Sequence, residues 1–322
     1  MMKGFKNILY VSEHGIDQEA ALARAVSLAH SNQAQLTLMD VVPEQTVGTD
    51  MPLNGQLPVD LTDQLLAQRR QHLASLLAAH ATAQTTRIEV HVGITFIEVI
   101  RAVLRQHFDL VIKPAENPDW IERLFGSVDM HLLRKCPCPV WLMKPQEKAS
   151  YACIVAAIDF DPDHWDGATQ ALNQQILNLA ASLSAPDLTQ WHVVHAWDTP
   201  AAGFVRLWAD DPDQVEMHML EGERARHTRG MNRLLESFRL HIGEEAYTHL
   251  APQVHLPMGS ARKVIAALAK ELQADLVVMG TAARTGIPGF LIGNTAESIL
   301  DQLQCSVLAI KPAGFVTPVM ID

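Results

Sequence analysis

The chain has 322 residues, of which 48% are hydrophobic and 19% charged, and a formal net charge of −11 at pH 7. These values indicate a globular protein of about two domains and exclude a disordered chain. The acidic balance argues against non-specific binding to nucleic acid or to an anionic membrane surface, and no run of about 18 apolar residues suggests a membrane-spanning helix.

Strands and helices are predicted to alternate along the first half of the chain. Short apolar runs predict strands at residues 8–12, 35–42, 87–92, 110–113 and 140–143. Helices are predicted between them at 18–30, 61–81, 97–106 and 127–134. Leu22, Val26 and Ala29 share one face of the first helix, as expected of a helix that packs on a sheet.

The second half repeats this alternation. Strands are predicted near 154–158, 190–195, 254–256, 276–279 and 307–310, and a helix near 172–183 carries Leu172, Ile176, Leu179 and Leu183 on one face. A longer insert, at about 198–243, holds a further helix rich in His, Met and Arg. We interpret its residues as an amphipathic face, since metal-binding His pairs at short spacing are missing.

The two halves are related in sequence. CPVWLMKP at 138–145 matches CSVLAIKP at 305–312, and FGSVDMHLL at 125–133 matches IGNTAESIL at 292–300. The chain is therefore predicted to be a duplicated domain, with copies at 1–145 and 151–322 and QEKAS at 146–150 as a polar linker.

Near-continuous apolar strands that alternate with amphipathic helices predict an α/β fold, in which parallel sheets carry helices on both faces. Ligands of such open sheets bind outside the carboxyl ends of the strands. In the second copy, the predicted crevice lies where Asp159 ends the first strand and Gly280 ends the fourth.

Several residues of this crevice have the chemistry of a binding site. The Asp159 carboxylate can accept a hydrogen bond from a ligand amine or hydroxyl, although an Asx turn or a helix cap explains it equally well. Gly280 lacks a Cβ that would keep a ligand from the backbone. Residues 293–295 open the next helix, whose first N–H groups attract anions, and Arg284 is a cation that can meet phosphate. Asn294 is also predicted as an N-cap, in a capping box with Glu297.

The four cysteines, Cys136, Cys138, Cys153 and Cys305, form neither a disulfide framework nor a zinc pattern. We expect buried, reduced thiols in a cytoplasmic protein, because the N-terminal segment also lacks the apolar run of a signal peptide.

Each half resembles the universal stress protein family in the order of its motifs. The order is a strand that ends in Asp, then V-V-M-G, a loop, a glycine at a helix start and a final C-x-V-L-x-I-K-P strand. The duplication, with RTGIPGFLIGNTAESILDQ, resembles its tandem, UspE-type branch. The resemblance implies two tandem open parallel five-stranded sheets, Rossmann-like or adenine-nucleotide α-hydrolase-like, with strand order 3-2-1-4-5.

The family's nucleotide-binding motif is G-x2-G-x9-G-[ST]. Gly280 and Gly293 match its first and third glycines, whereas Ala283 replaces the second and Asn294 replaces the Ser/Thr. The resemblance implies ATP, or AMP or ADP, with adenine at Asp159, Val194 and Met279, the ribose and phosphates at the Gly280 backbone, and the phosphates at 293–295. No metal is implied beyond nucleotide-bound Mg²⁺. The candidate nucleotide-binding residues are Asp159, Val194, Met279, Gly280, Thr281, Arg284, Gly293, Asn294 and Thr295.

The first copy departs further from this motif. Pro114 replaces the first glycine, Glu116 stands near the second, and Glu13 replaces the Asp, although Gly126 and Ser127 survive as a helix start and cap. Because Pro114 offers no N–H and the added carboxylates repel phosphate, the first copy is interpreted as a degenerate site.

The sequence thus predicts a stress-response protein that binds an adenine nucleotide in its C-terminal half without turning it over. Two alternatives stay open: a non-nucleotide interaction protein or binder of a partly apolar ligand, and a slow ATPase. No nucleophile elbow or Ser-His-Asp pattern supports hydrolysis. The family resemblance implies that residues 140–143 and 307–310 pair within the chain as a pseudo-dimer, which leaves a homodimer of whole chains as an option.

Overall fold

The computed structural model describes residues 4–43, 59–80, 86–116, 127–144, 147–148, 150–184, 189–199, 211–281 and 292–321, with side chains omitted at 59–62. Ten strands and nine helices are defined within these ranges.

The strands are short and mostly buried. They are β1 (Asn7–Val11), β2 (Gln35–Val42), β3 (Arg87–Val92), β4 (Leu110–Pro114), β5 (Val140–Met143), β6 (Cys153–Ala157), β7 (Gln190–Val194), β8 (Gln253–His255), β9 (Leu276–Gly280) and β10 (Ser306–Ile310). Only β3 and β8 keep substantial exposure, because they are the two edges of the sheet.

The helices connect consecutive strands. They are α1 (Glu19–Asn32), α2 (Val59–Ala78), α3 (Thr95–Gln106), α4 (Val128–Lys135), α5 (Gly167–Ser184), α6 (Pro212–Ile242), α7 (Glu244–Leu250), α8 (Ala261–Glu271) and α9 (Asn294–Leu300). The predicted insert helix is α6, whose C-terminal part packs on the sheet through Gly230, Met231, Leu234, Leu235 and Phe238.

All ten strands form one sheet in the order β3-β2-β1-β4-β5-β10-β9-β6-β7-β8. Each half therefore has the order 3-2-1-4-5 with parallel pairing, and the predicted α/β fold is confirmed. The halves join where β5 and β10 pair antiparallel, with Leu308 opposite Trp141. The predicted pairing of the last strands within one chain is present.

The sheet is covered on both faces. One core contains side chains of α1, α5 and α6, including Leu22, Ile176 and Phe238. The other contains side chains of α3, α4, α8 and α9, including Ile100, Leu133 and Ile299. Leu22, Val26 and Ala29 are all buried, as the helical periodicity predicts.

Strand register relates the two halves residue by residue. Ile8 and Ile154 occupy the same position, since each lies opposite the first residue of its β4 or β9 partner strand. Counting along the chain makes Glu13 the equivalent of Asp159, and counting along β2 and β7 makes Asp40 the equivalent of His195.

The linker is less solvated than its polar sequence suggests. Glu147 is buried and accepts a hydrogen bond from the Ser306 hydroxyl, while Lys148 Nζ lies 2.6 Å from Asp275 Oδ1. Arg24 of α1 donates to the Lys148 carbonyl at 2.8 Å. Glu147 is buried here because Ser306 of the second half supplies a hydrogen-bond partner, which a local sequence pattern does not reveal, whereas Lys148 stays exposed.

The four cysteines are buried and free, as expected. Cys136 Sγ and Cys138 Sγ lie 3.6 Å apart, and burial together with the contact to Cys136 raises the pKa of Cys138 far above its ordinary value. Thiols held in the neutral form by burial are poor nucleophiles, so these are structural residues.

Candidate functional site

The candidate crevice lies where β6 and β9 end side by side. Ala157 pairs with Met279 in the parallel ladder, so the segments that follow each strand leave the sheet at the same edge. Asp159 follows β6 by two residues and is exposed, and α9 begins at Asn294 on the return from β9. The described part of the chain therefore gathers Asp159, Gly280 and the start of α9 at the switch in strand order.

Asp159 sits in a turn that a buried amide holds in place. Asn173 of α5 is 1% exposed; its Nδ2 donates to the Asp159 carbonyl at 2.7 Å, and its Oδ1 accepts from the Asp159 N–H at 3.2 Å. Both backbone groups of Asp159 are thereby satisfied by one side chain, while its carboxylate lies at the protein surface.

Gly280 is needed for packing within the protein. A Cβ built on Gly280 would lie 2.9 Å from Leu172 Cδ2 and 3.7 Å from Ile176 Cδ1 of α5. The space that the glycine provides on this side is therefore taken by Leu172. A ligand at Gly280 would have to approach from the crevice side of the backbone.

The backbone after β9 is tied down by hydrogen bonds. Thr281 is fully buried; its N–H donates to the Ile310 carbonyl at 3.0 Å, and its own carbonyl accepts from the Gly293 N–H at 3.0 Å. The Gly293 N–H is therefore committed to the protein. The first N–H groups that α9 itself leaves without an intrahelical acceptor are those of Asn294, Thr295 and Ala296.

The predicted capping box at Asn294 is wrong. Gly293 is the N-cap of α9, in extended conformation, and no side chain caps the helix. Asn294 is the first helical residue, and it and Thr295 are exposed. Glu297 turns away from the cap and pairs with Arg134 of α4, because an ion pair between the halves competes for the same carboxylate. In the first half, by contrast, Ser127 caps α4 as predicted and accepts from the Met130 N–H at 3.2 Å.

Val194 and Met279 are buried in the core that faces α8 and α9, at 0% and 3% exposure. Their contact with adenine stays a prediction. Arg284, Ala283 and the remaining glycines of the loop lie outside the described residues.

The equivalent position in the first half is filled by a buried ion cluster. Lys113 is fully buried, and its Nζ lies 2.6 Å from Glu13 Oε2, 2.8 Å from Asp129 Oδ1 and 3.1 Å from the Pro114 carbonyl oxygen. Burial alone would lower the pKa of Lys113, but the attraction of Asp129 and Glu13 outweighs it and raises that pKa. The Glu116 N–H donates to Asp129 Oδ2 at 2.9 Å, and burial, helped by Asp129, raises the pKa of the Glu116 carboxyl to about 7.

Two further positions, equivalent in the two halves, were not identified from the sequence. They lie on the face of the sheet that α1, α2 and α6 cover. In the first half, His14 Nε2 lies 2.8 Å from Asp40 Oδ2, beside Arg69 of α2 and a cleft of 470 Å³ between the β1–α1 turn and α2. In the second half, the equivalent Phe160 and His195 stack with centroids 3.8 Å apart. His195 Nε2 in turn lies 2.9 Å from His227 Nδ1 of α6. No local motif marks these residues; only the repeat register, applied to His and aromatic positions, would have found them.

Two absences hold for the described part of the chain. No three His, Cys, Asp or Glu side chains within it form a cluster able to hold a metal ion. None of the helices in those same ranges is long and apolar enough to cross a bilayer.

The strand order and the helices on both faces define a tandem, doubly wound α/β protein. A family model for the universal stress protein family matches residues 4–144 and again 151–311. The chain belongs to the universal stress protein family, and it is of the tandem, UspE-type kind.

Relatives of full length share this organisation. The chain is 31% identical over 330 residues to universal stress protein E of Salmonella typhi, covering 100% of this chain and 99% of the relative. It is 30% identical over 333 residues to universal stress protein E of Escherichia coli K12, covering 100% and 98%. Among solved structures, a putative universal stress protein of Pseudomonas aeruginosa is 25% identical with a TM-score of 0.66, covering 97% of this chain and 95% of that one.

Proposed function

We propose that this protein is a cytoplasmic stress-response factor that binds one adenine nucleotide, ATP or its mono- or diphosphate, in the C-terminal crevice and acts as a non-catalytic regulator. The observation that carries the proposal is the convergence of an exposed carboxylate, Asp159, with the open N-terminal N–H groups of α9 across the ends of β6 and β9. A carboxylate accepts from an adenine amine, and helix N-terminal N–H groups attract phosphate.

The contrast between the halves supports placing the ligand in the second one. In the first half, the Lys113 ammonium is already paired with both Glu13 and Asp129, and Pro114 offers no N–H. An anion there would meet Glu116 and two paired carboxylates. The first-half crevice is therefore proposed to be closed to nucleotides.

Calorimetric titration of ATP, with and without Mg²⁺, tests the proposal. We expect one site per chain, weakened at least tenfold by Asp159→Ala and abolished by Gly293→Arg. Glu13→Ala, at the equivalent position of the first half, is the matched control and should leave ATP affinity unchanged. Equal heats from the wild type and Gly293→Arg would remove the site assignment, and a Glu13→Ala effect as large as that of Asp159→Ala would place the nucleotide in the wrong half.

One observation favours the alternative of a non-nucleotide ligand. Leu172 fills the Cβ side of Gly280, and the Gly293 N–H is already bonded to the Thr281 carbonyl, so this N–H is not available to a phosphate. A partly apolar ligand near Val194 and Met279 is the second candidate. Mass spectrometry of what co-purifies with the protein, together with an absent thermal shift with ATP, would favour it.

A further inference from the structure

Strand β7 contains His192 and is followed directly by His195, and each of the two is hydrogen-bonded to a histidine of another element. His192 Nδ1 lies 2.9 Å from Nε2 of His255 on the edge strand β8. On the opposite face, His195 Nε2 lies 2.9 Å from Nδ1 of His227 on α6. The two pairs therefore connect this segment to β8 on one face of the sheet and to α6 on the other.

A hydrogen bond between two imidazoles depends on protonation. One ring must donate an N–H and the other must accept with a bare nitrogen, so the bond exists with no proton or one proton added. With both rings protonated, every ring nitrogen is a donor and the two positive charges repel. Each pair is therefore a contact that acid breaks.

Burial makes the His192–His255 pair sensitive to acid. His192 is 1% exposed, and its Nε2 has no hydrogen-bond partner among the described residues. Burial first, and then the neighbouring His255, lowers the pKa of His192; burial lowers the pKa of His255, against the opposing effect of Glu271 on α8. The folded state therefore excludes protons that the unfolded chain takes up below about pH 6.5, and stability falls as pH falls through that value.

Charged and aromatic groups surround the second pair. Glu223 Oε2 of α6 lies 3.9 Å from His227 Nε2, and the Ile158 carbonyl oxygen lies 3.4 Å from His195 Nδ1. Phe160 stacks on His195 and Trp197 on His227, while Arg226 of α6 is paired with Asp163 from the β6–α5 turn. One added proton leaves the Nε2–Nδ1 hydrogen bond possible, whereas a second removes its acceptor.

The first half provides an internal comparison. Strand register makes Thr37 the equivalent of His192, Asp40 that of His195 and Glu89 that of His255. Asp40 pairs with His14, and Glu89 with His91, as carboxylate–imidazole contacts. The same fold positions thus hold carboxylate–imidazole pairs in the first half and imidazole–imidazole pairs in the second.

We propose that the C-terminal half senses acidification: proton uptake by the His192–His255 and His195–His227 pairs releases β8 and α6 from β7. The released elements expose the His pairs and the apolar face of α6, whereas the first half stays closed. The proposal does not depend on nucleotide binding.

Hydrogen exchange read by mass spectrometry on the intact chain tests it at pH 7 and pH 5, after correction for the intrinsic exchange rate. We expect protection of peptides covering 212–242 and 253–255 to fall at least tenfold relative to 63–78 and 87–92, since each excluded proton contributes up to tenfold per pH unit. His255→Gln with His227→Gln keeps hydrogen-bonding groups that do not titrate and should weaken the acid effect, because two of the four rings no longer take up protons while buried His192 still excludes one. His91→Gln is the control and should retain it.

Two outcomes would overturn the proposal: equal changes of protection in both halves of the wild type, or an acid transition in the double Gln variant that is as large as that of the wild type. If circular dichroism shows that variant to be unfolded, imidazole NMR of the wild type decides. His192 and His255 should then titrate below the ordinary histidine range and together with the loss of protection. Titration of both at about 6.5 with unchanged protection would refute the switch.

Discussion

Replacing the ammonium of Lys113 by a methyl thioether is expected to be among the most damaging changes in the first half. Lys113→Met preserves the length of the side chain but removes its hydrogen bond to Asp129, which is 4% exposed. Of the hydrogen bonds described for the Asp129 carboxylate, the one from the Glu116 N–H remains. Breaking a buried pair by removing one partner costs about 3–5 kcal/mol, because an uncompensated charge stays buried. Glu13 adds less than about 1 kcal/mol, since its half-buried side chain can turn toward water.

The assay is urea unfolding followed by far-ultraviolet circular dichroism at pH 7. Lys263→Met, on an exposed position of α8, is the matched control and should change the free energy of unfolding by no more than about 0.5 kcal/mol. Adding Asp129→Asn to Lys113→Met should recover most of the loss, because the amide oxygen can still accept from Glu116 while the buried charge is gone. A loss below about 1 kcal/mol, or no recovery in the double variant, would refute the counter-ion role of Lys113.

Three further predictions address other contacts. Asp275→Ala should destabilise the second half by about 1.5–3 kcal/mol, because the carboxylate accepts hydrogen bonds from Ala152, Cys153 and Lys148. Burial raises the pKa of Asp275, but these bonds outweigh it and lower that pKa. Calorimetric scans from pH 7 to 2 should show the contribution of Asp275 above about pH 4 and its loss as pH falls through the lowered pKa. Gly230→Ala should cost about 1–3 kcal/mol in urea unfolding, because its Cβ would lie within van der Waals overlap of Phe160 Cε2; an unchanged midpoint would mean that Phe160 moves freely. Lys311→Met should stabilise the chain by about 1–3 kcal/mol at pH 7, because burial lowers the pKa of Lys311 to about 8. The gain should shrink as pH rises above 8 and vanish above about pH 11, where the lysine is neutral in both states.

Much of the fold follows from local sequence patterns. The predicted bounds of β2, β3 and β5 coincide with those observed, because these strands are short apolar or β-branched runs bounded by turn residues or polar segments. The repeated C-x-V motif and its K-P ending identify β5 and β10 and predict their pairing. Helix bounds differ by a few residues, since fraying and capping at helix ends depend on neighbours that periodicity does not record.

What the sequence does not reveal depends on contacts between distant segments. Asn294 and Glu297 have the spacing of a capping box, yet Arg134 of the other half claims the Glu297 carboxylate. The linker looks solvated, yet Glu147 is buried against Ser306. His192, His195, His227 and His255 are scattered along 63 residues and meet only because β7, β8 and α6 assemble around them.

The antiparallel contact between β5 and β10 also affects how the sequences of the two halves can diverge. Two separate chains that met through their last strands would have to stay interchangeable, and any alteration would appear on both sides of the contact at once. Here the partners are always the same two, held together by a covalent connection. One half is then free to fill its crevice with an ammonium ion while the other lengthens a helix and acquires histidine pairs. Fusion of the copies turns a symmetric assembly into one whose sides can take on different tasks.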